Sequence, residues 1–114
     1  MQKKHNEIEV KTKIWLEKDG KLVFGRGRAT ILEAIQETGS LNRAASKLGI
    51  SYRRLWGYLK AVETRLPKPL VVKQKGGRQG GGTHLTDFGQ QILTKFKQLE
   101  KRITHFTDQE YQRI

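Results

Sequence analysis

The 114-residue chain has no cysteine, and its three histidines are scattered. Disulfides and thiolate chemistry are excluded. Because His5, His84 and His105 have no neighbour at ligand spacing, no metal site is expected. No apolar run approaches the length that crosses a bilayer, and the N-terminal MQKKHNEIEV lacks the apolar core of a secretion signal. A soluble protein of the cytoplasm is the expectation, with no membrane partner. No Ser/His/Asp set or carboxylate pair stands out, so the chain does not read as an enzyme and calls for no cofactor. The run Gly76-x4-Gly81-Gly82-Thr83 comes close to a nucleotide-binding loop, but Gly82 stands where the phosphate-reaching lysine is required. That reading fails.

Acid is also scarce, and only in one place. Residues 40–80 carry ten Lys/Arg against a single acid, Glu63, a net of +9 within a chain of net +12. Segments 1–20, 21–39 and 81–114 each carry a surplus of one cation. A basic face kept for solubility would be interspersed with acids. A concentrated patch attracts polyanions, nucleic acid before anionic membrane.

The patch coincides with the most informative stretch, Leu41 to Ser51, which reads LNRAASKLGIS. Ser40 can cap a short helix. Ala44 and Ala45 are small enough for a second helix to cross closely, and Leu48 seals the inner face. Gly49 can take the left-handed conformation that ends a helix, and Ile50 plugs the corner. Ser51 caps a second helix over about Tyr52 to Leu66, ended by Pro67 and Pro69. This is the residue order of a helix-turn-helix; the plainer alternative is an ordinary helical hairpin. In the second helix Leu55, Leu59, Val62 and Leu66 form one inward face. Arg53, Arg54, Gly57 and Lys60 lie largely elsewhere.

Upstream, Val10, Thr12, Ile14 and Leu16 alternate with Lys11, Lys13, Trp15 and Glu17, and apolar content resumes at Leu22, Val23 and Phe24 beyond Asp19-Gly20. That pattern predicts a β-hairpin over 11–24. Gly25 and Gly27 break it, and Ile31, Leu32, Ala34 and Ile35 give the stripe of a helix from about Arg28 to Thr38, so that three helices fill 28–66. Downstream, Leu70-Val71-Val72 and His84-Leu85 read as strands flanking a basic glycine-rich tip, a wing over 70–85. Lys73, Lys75, Arg78 and Gln79 belong to it, and its glycines allow close approach to phosphates or a narrow groove. Thr86 then caps a helix over 86–106 whose apolar positions are Phe88, Ile92, Phe96, Leu99, Ile103 and Phe106. From Ile92 onward these make a heptad seam. A helix of about 30 Å outreaches so small a domain, and a second copy is the simplest partner for the surplus.

The carrying motifs are Gly39-Ser40, Ala44-Ala45, Leu48-Gly49-Ile50-Ser51-Tyr52, Trp56, and Gly76-Gly77-Arg78-Gln79-Gly80-Gly81-Gly82 followed by Leu85-Thr86-x-x-Gly89. In these the chain resembles the N-terminal winged-helix domain of the ModE family of molybdate-responsive transcription regulators. The helix-turn-helix alone is also similar to that of LysR-type regulators. The resemblance implies DNA binding and dimerisation. Members that sense molybdate carry C-terminal oxyanion-binding domains, whereas this sequence stops at Ile114. Molybdate sensing is therefore not implied, and no small-molecule effector site is evident.

The expected fold is mainly α with a small β component. It is a single winged helix-turn-helix domain over 1–114, with an N-terminal hairpin and a long C-terminal dimerisation helix. Tyr52, Arg53 and Arg54 are placed to reach base edges or flanking phosphates; a bidentate Arg–guanine contact is worth about 1–3 kcal/mol of discrimination. Lys60 reads as a phosphate contact, and Ser40, Asn42, Arg43 and Ser51 lie where helix starts meet the backbone. For Ser40 the cap is itself a sufficient role. Trp56 has two readings, the lip of the groove or the edge of the core. Ile92, Phe96, Leu99, Ile103 and Phe106 are the expected dimer interface. The function expected is a dimeric, sequence-specific regulator on double-stranded DNA, nucleoid-associated in the cytoplasm. An architectural DNA-coating protein is the alternative, and an adaptor for an acidic protein the third.

Overall fold

The structure, a computed structural model, describes residues 8–74 and 82–114. It begins with an antiparallel hairpin of β1 (Trp15–Lys18) and β2 (Lys21–Gly25). Asp19 and Gly20 join them with φ of 52° and 76°, the two positive values that a tight hairpin turn needs. Leu16 faces Phe24 while Glu17 faces Leu22, so Val23 is the extra residue of a bulge. Val23 and Phe24 are both buried as a result. The strand was expected from residue 11 but starts at Trp15. Its partner ends at Gly25, where a helix begins, so earlier residues have no strand to pair with.

Helix α1 (Arg26–Thr38) takes Arg26 and Gly27 into its first turn, two residues before the expected start. Ala29, Ile31, Leu32, Ala34 and Ile35 make its buried face. Gly39 ends it at φ 67°, its N–H donating to the Ile35 carbonyl. Helix α2 (Leu41–Leu48) is capped by Ser40, whose hydroxyl accepts the Arg43 N–H at 3.2 Å. Gly49, at φ 71°, ends it, and the Ile50 N–H closes back on the Ala45 carbonyl at 3.0 Å. Helix α3 (Tyr52–Glu63) follows and buries Leu55, Leu59 and Val62. It stops three residues short of Leu66. Arg65 and Leu66 donate to Val62 and Glu63, the tightened i→i−3 pattern, because Pro67 disfavours helical backbone at the residue before it.

A second hairpin pairs β3 (Val71–Gln74) with β4 (Gly82–Leu85), and α4 (Asp87–Arg113) completes the chain. Helix α4 has 27 residues and outruns the expected end at Phe106. Residues 107–113 hold neither glycine nor proline, and a formed helix propagates through polar residues that do nothing to break it. The seam read along α4 needs correction at its first positions. Phe96 is 1 % exposed and meets the Phe24 ring edge-on, with centroids 5.3 Å apart. It belongs to the core with Leu93, and Ile92 is half-buried against the same cluster. The inward face is Gly89, Leu93 and Phe96, set by where the first hairpin brings Phe24. Leu99, Ile103 and Phe106 lie beyond it.

The start of α4 explains the Leu-Thr-x-x-Gly motif. Thr86 donates its N–H to the Leu70 carbonyl at 3.0 Å and its hydroxyl to that of Pro69 at 2.7 Å, while the hydroxyl oxygen accepts the Gly89 N–H at 2.9 Å. A Cβ on Gly89 would lie 2.1 Å from the Leu70 carbonyl oxygen. Gly89→Ala should therefore destabilise the fold by about 1–3 kcal/mol. Gly57→Ala, where a Cβ meets nothing within 4 Å, should stabilise by up to about 1 kcal/mol. Thermal melts of the two variants should move in opposite directions.

Candidate nucleic-acid interface

The outer face of α3 carries the cations. Ser51 uses its hydroxyl to accept the Arg54 N–H at 3.0 Å, capping the helix and fixing the direction in which its first turn points. Tyr52, Arg53 and Arg54 on that turn are exposed. Arg53 has no ion pair or side-chain hydrogen bond among the described residues. Arg54 donates from Nε to the Tyr58 hydroxyl at 3.1 Å, and its guanidinium lies 5.8 Å from that ring. Arg28, reaching across from α1, sits 5.3 Å from the same ring. Its Nε is buried with no hydrogen-bond partner among the described residues. Burial pushes the Arg28 guanidinium below its ordinary range; Arg65 adds to that and Tyr58 opposes it. Tyr58 was not anticipated as part of this surface. Its spacing of four from Arg54 was a signal, but the Arg28 contact is tertiary and had none.

Trp56 lies at the edge of the core and on the cationic face. It is half-buried against the core, while the ammonium groups of Lys60 and Lys73 each lie 4.7 Å from its ring. Lys73, on β3, also donates to the Tyr52 hydroxyl at 2.7 Å and stands 5.5 Å from that ring. Two aromatic side chains of α3 thus hold a lysine of the second hairpin beside the helix, by attraction between cation and ring quadrupole. Lys60 is partly neutralised, since Glu63 pairs with it at 2.9 Å.

Asn42 and Arg43 are exposed at the start of α2, and Ser40 is half-buried. All three line a cleft of about 460 Å³ whose other side is Tyr52, Lys73 and Gln74. Uncapped N–H groups at a helix start and flanking cations make such a cleft suited to anionic oxygens. The second hairpin is held against this corner by backbone. Thr83 donates to the Gly39 carbonyl at 3.0 Å, and a Cβ on Gly82 would lie 2.8 Å from that oxygen. Lys75, Arg78 and Gln79 lie outside the described residues. Of the patch's cations, Lys47 and Lys60 have acid partners among the described residues, Glu37 and Glu63. Arg43, Arg53, Arg54, Lys68 and Lys73 are exposed, while Arg65 is half-buried and donates to the Leu22 carbonyl at 2.8 Å. No helix among the described residues is long and apolar enough to cross a membrane.

Residues 28–90 match the model of the bacterial regulatory helix-turn-helix protein family of lysR type. The molybdenum transport protein ModE of Azotobacter vinelandii is 47 % identical over 73 residues, which is 64 % of this chain and 27 % of that protein. The transcriptional regulator ModE of Haemophilus influenzae is 37 % identical over 78 residues, 68 % of this chain and 31 % of that protein. The chain thus spans about a third or less of the length of these curated relatives. Among solved structures, the CbnR DBD–DNA complex superposes with a TM-score of 0.54 at 21 % identity, covering 75 % of this chain and 92 % of that one. That likeness shows the fold, a winged helix-turn-helix, and the motifs are those of its ModE-like form.

The close contact at Gly82 is directly testable. Gly82→Ala should push β4 off the Gly39 carbonyl, and the Thr83 amide should then exchange with solvent deuterium about tenfold faster, the signature of roughly 1.4 kcal/mol of lost local stability. Unchanged exchange at Thr83 would mean that this contact does not hold the hairpin in place.

Proposed function

The chain belongs to the lysR-type family of bacterial regulatory helix-turn-helix proteins, and from that premise we propose that it regulates transcription by binding specific sites on double-stranded DNA as a homodimer. The observation that carries this reading is the exposure of Arg53 and Arg54 on the first turn of α3, within a field that acids barely offset. On this reading α3 lies in the major groove with that turn toward the bases. Arg54, tethered through Nε, keeps its two terminal nitrogens free for a base edge. Arg43, Asn42 and Lys73 take phosphates on either side, and Coulombic attraction supplies much of the affinity. Such a protein works in the cytoplasm, associated with the nucleoid.

Support for the dimer comes from the far half of α4. Leu99 is 41 % exposed and Phe106 61 %, with Ile103 half-buried between them. They stand four and three residues apart, on one face of a helix about 40 Å long. Paired copies would cover this face and set two α3 helices toward successive major grooves.

Selection of bound duplexes from a random pool, near ~150 mM salt to suppress the non-specific component, should recover a palindrome with half-sites about one helical turn apart. Arg53→Ala combined with Arg54→Ala should abolish that preference while the melting temperature is kept. A featureless pool despite tight binding would favour architectural coating of DNA instead. Leu99→Glu with Phe106→Glu should give a monomer in sedimentation equilibrium without unfolding the domain, since both side chains are exposed. A dimer that survives both substitutions would move the interface elsewhere.

A further inference from the structure

We propose that the cleft between the N-terminal hairpin and the start of α1 binds a small organic anion with an apolar body, and that its occupancy is transmitted to α3 through Arg28 and Tyr58. The cleft measures about 540 Å³, within the range of small-molecule sites. Ile14, Trp15 and Leu22 provide its apolar walls. Trp15 is 52 % exposed, and its indole N–H donates to Glu17 Oε2 at 2.7 Å, which fixes the ring at the cleft wall. Lys13, Arg26 and Arg28 line the same space. Among the described residues no acidic side chain lines it.

The three cations are not equivalent. Arg26 is already engaged, with Glu33 at 2.6 Å and Glu100 at 3.0 Å, so it serves as a wall. Lys13 makes no ion pair among the described residues. Arg28 has no acidic partner there either, and its Nε is a buried donor without an acceptor. A buried N–H left unmade is costly, and an oxyanion toward which the Arg28 side chain turns would satisfy it and its charge together. The depressed guanidinium of Arg28 is consistent with a cation short of compensation. The chemistry therefore asks for a carboxylate-like head between Lys13 and Arg28, with an apolar body against Trp15. A bare inorganic anion would leave the apolar walls unused, and a neutral molecule would leave Arg28 unmet.

Transmission follows from one ring. Arg28 lies over Tyr58, whose hydroxyl accepts from Arg54 on the outer face of α3. A ligand that draws Arg28 toward the cleft weakens its hold on Tyr58 and so loosens the placement of Arg54. This second step rests on the DNA-binding reading above; the binding step does not. By linkage, whatever factor the ligand imposes on DNA affinity, DNA imposes on the ligand.

The site is tested on the full chain carrying Trp56→Phe, which leaves Trp15 as the sole indole. Benzoate, phenylacetate and octanoate are titrated against Trp15 fluorescence beside benzamide, phenylacetamide, octanamide and sulfate. At least one carboxylate should give a saturable change, with its amide and sulfate weaker by about tenfold or more, as expected for loss of a charged hydrogen bond. Lys13→Gln should weaken that carboxylate by about threefold, the scale of an exposed ion pair. Gly27→Leu should block it, since a side chain there meets nothing within 4 Å and occupies cleft space. Neither residue belongs to the DNA-facing surface, so DNA binding without ligand should be unchanged in both. No saturable response to any carboxylate, equal binding of amides, or both variants titrating like the parent would overturn the site. With Trp56 restored, saturating carboxylate should change duplex affinity by about fivefold or more, the lower end of usual couplings. Tyr58→Phe should abolish that change. Ligand binding with no change in duplex affinity would overturn the transmission alone. Failure to bind any duplex would remove the regulator reading and leave the fluorescence result standing.

Discussion

The carbonyl of Leu70 is where the base of the second hairpin and the start of α4 are held to each other. Leu70 itself is 2 % exposed, its side chain sunk in the core just before β3 begins. Its oxygen accepts the Thr86 N–H, and α4 can begin there only because residue 89 has no side chain. With that point set, β4 must return beside β3, and the backbone of Thr83 reaches Gly39 at the α1–α2 corner. The direction of α4 is set as well, which carries Phe96 onto Phe24 and Lys97 to within 3.1 Å of Glu33. Exposed pairs of that kind contribute little by themselves. The hydrophobic contact between α4 and the first hairpin is the stronger tie.

Charge and aromatic rings divide the labour on the outer surface. Lysines and arginines supply a positive field, but long side chains lose much freedom when a ligand orders them. Tyr52, Trp56 and Tyr58 reduce that cost in advance by holding Lys73, Lys60, Arg54 and Arg28 near ring faces. The result is a surface whose cations are partly ordered yet mostly unneutralised. Tyr58 differs from the other two rings because one of its cations comes from outside the surface. Through Arg28 it connects α3 to the cleft beneath the first hairpin, so two regions far apart in sequence share one side chain.

Local chemistry was legible wherever a residue acts on its immediate neighbours. Ser40, Ser51 and Thr86 were readable as caps, and Gly39 and Gly49 as helix ends, because each of these bonds spans only a few residues. The inward face of α3 was readable for the same reason. Helix limits were less so. The end of α4 was placed at its last apolar residue, whereas backbone hydrogen bonding continues to Arg113. The first strand was started too early, since its length depends on a partner that turns into α1. The Leu-Thr-x-x-Gly motif was visible as a pattern, yet its cause, an approach to Leu70, was not.

The sequence by itself determined the element order, the helix-turn-helix, the segregation of charge and the candidate cations of α3. All of these follow from spacing along the chain and from composition. Tertiary structure alone decided which apolar residues of α4 face inward, because periodicity cannot tell a core stripe from an interface stripe on one continuous helix. It also decided that Trp56 is at once core and cation platform, that Tyr58 joins Arg28 to Arg54, and that Lys13, Trp15 and Arg28 line one cleft. The deciding pairings, Lys13 with Arg28, Trp56 with Lys73 and Arg28 with Tyr58, join residues well apart in the chain, and contacts at such range are made by packing, which no local pattern encodes.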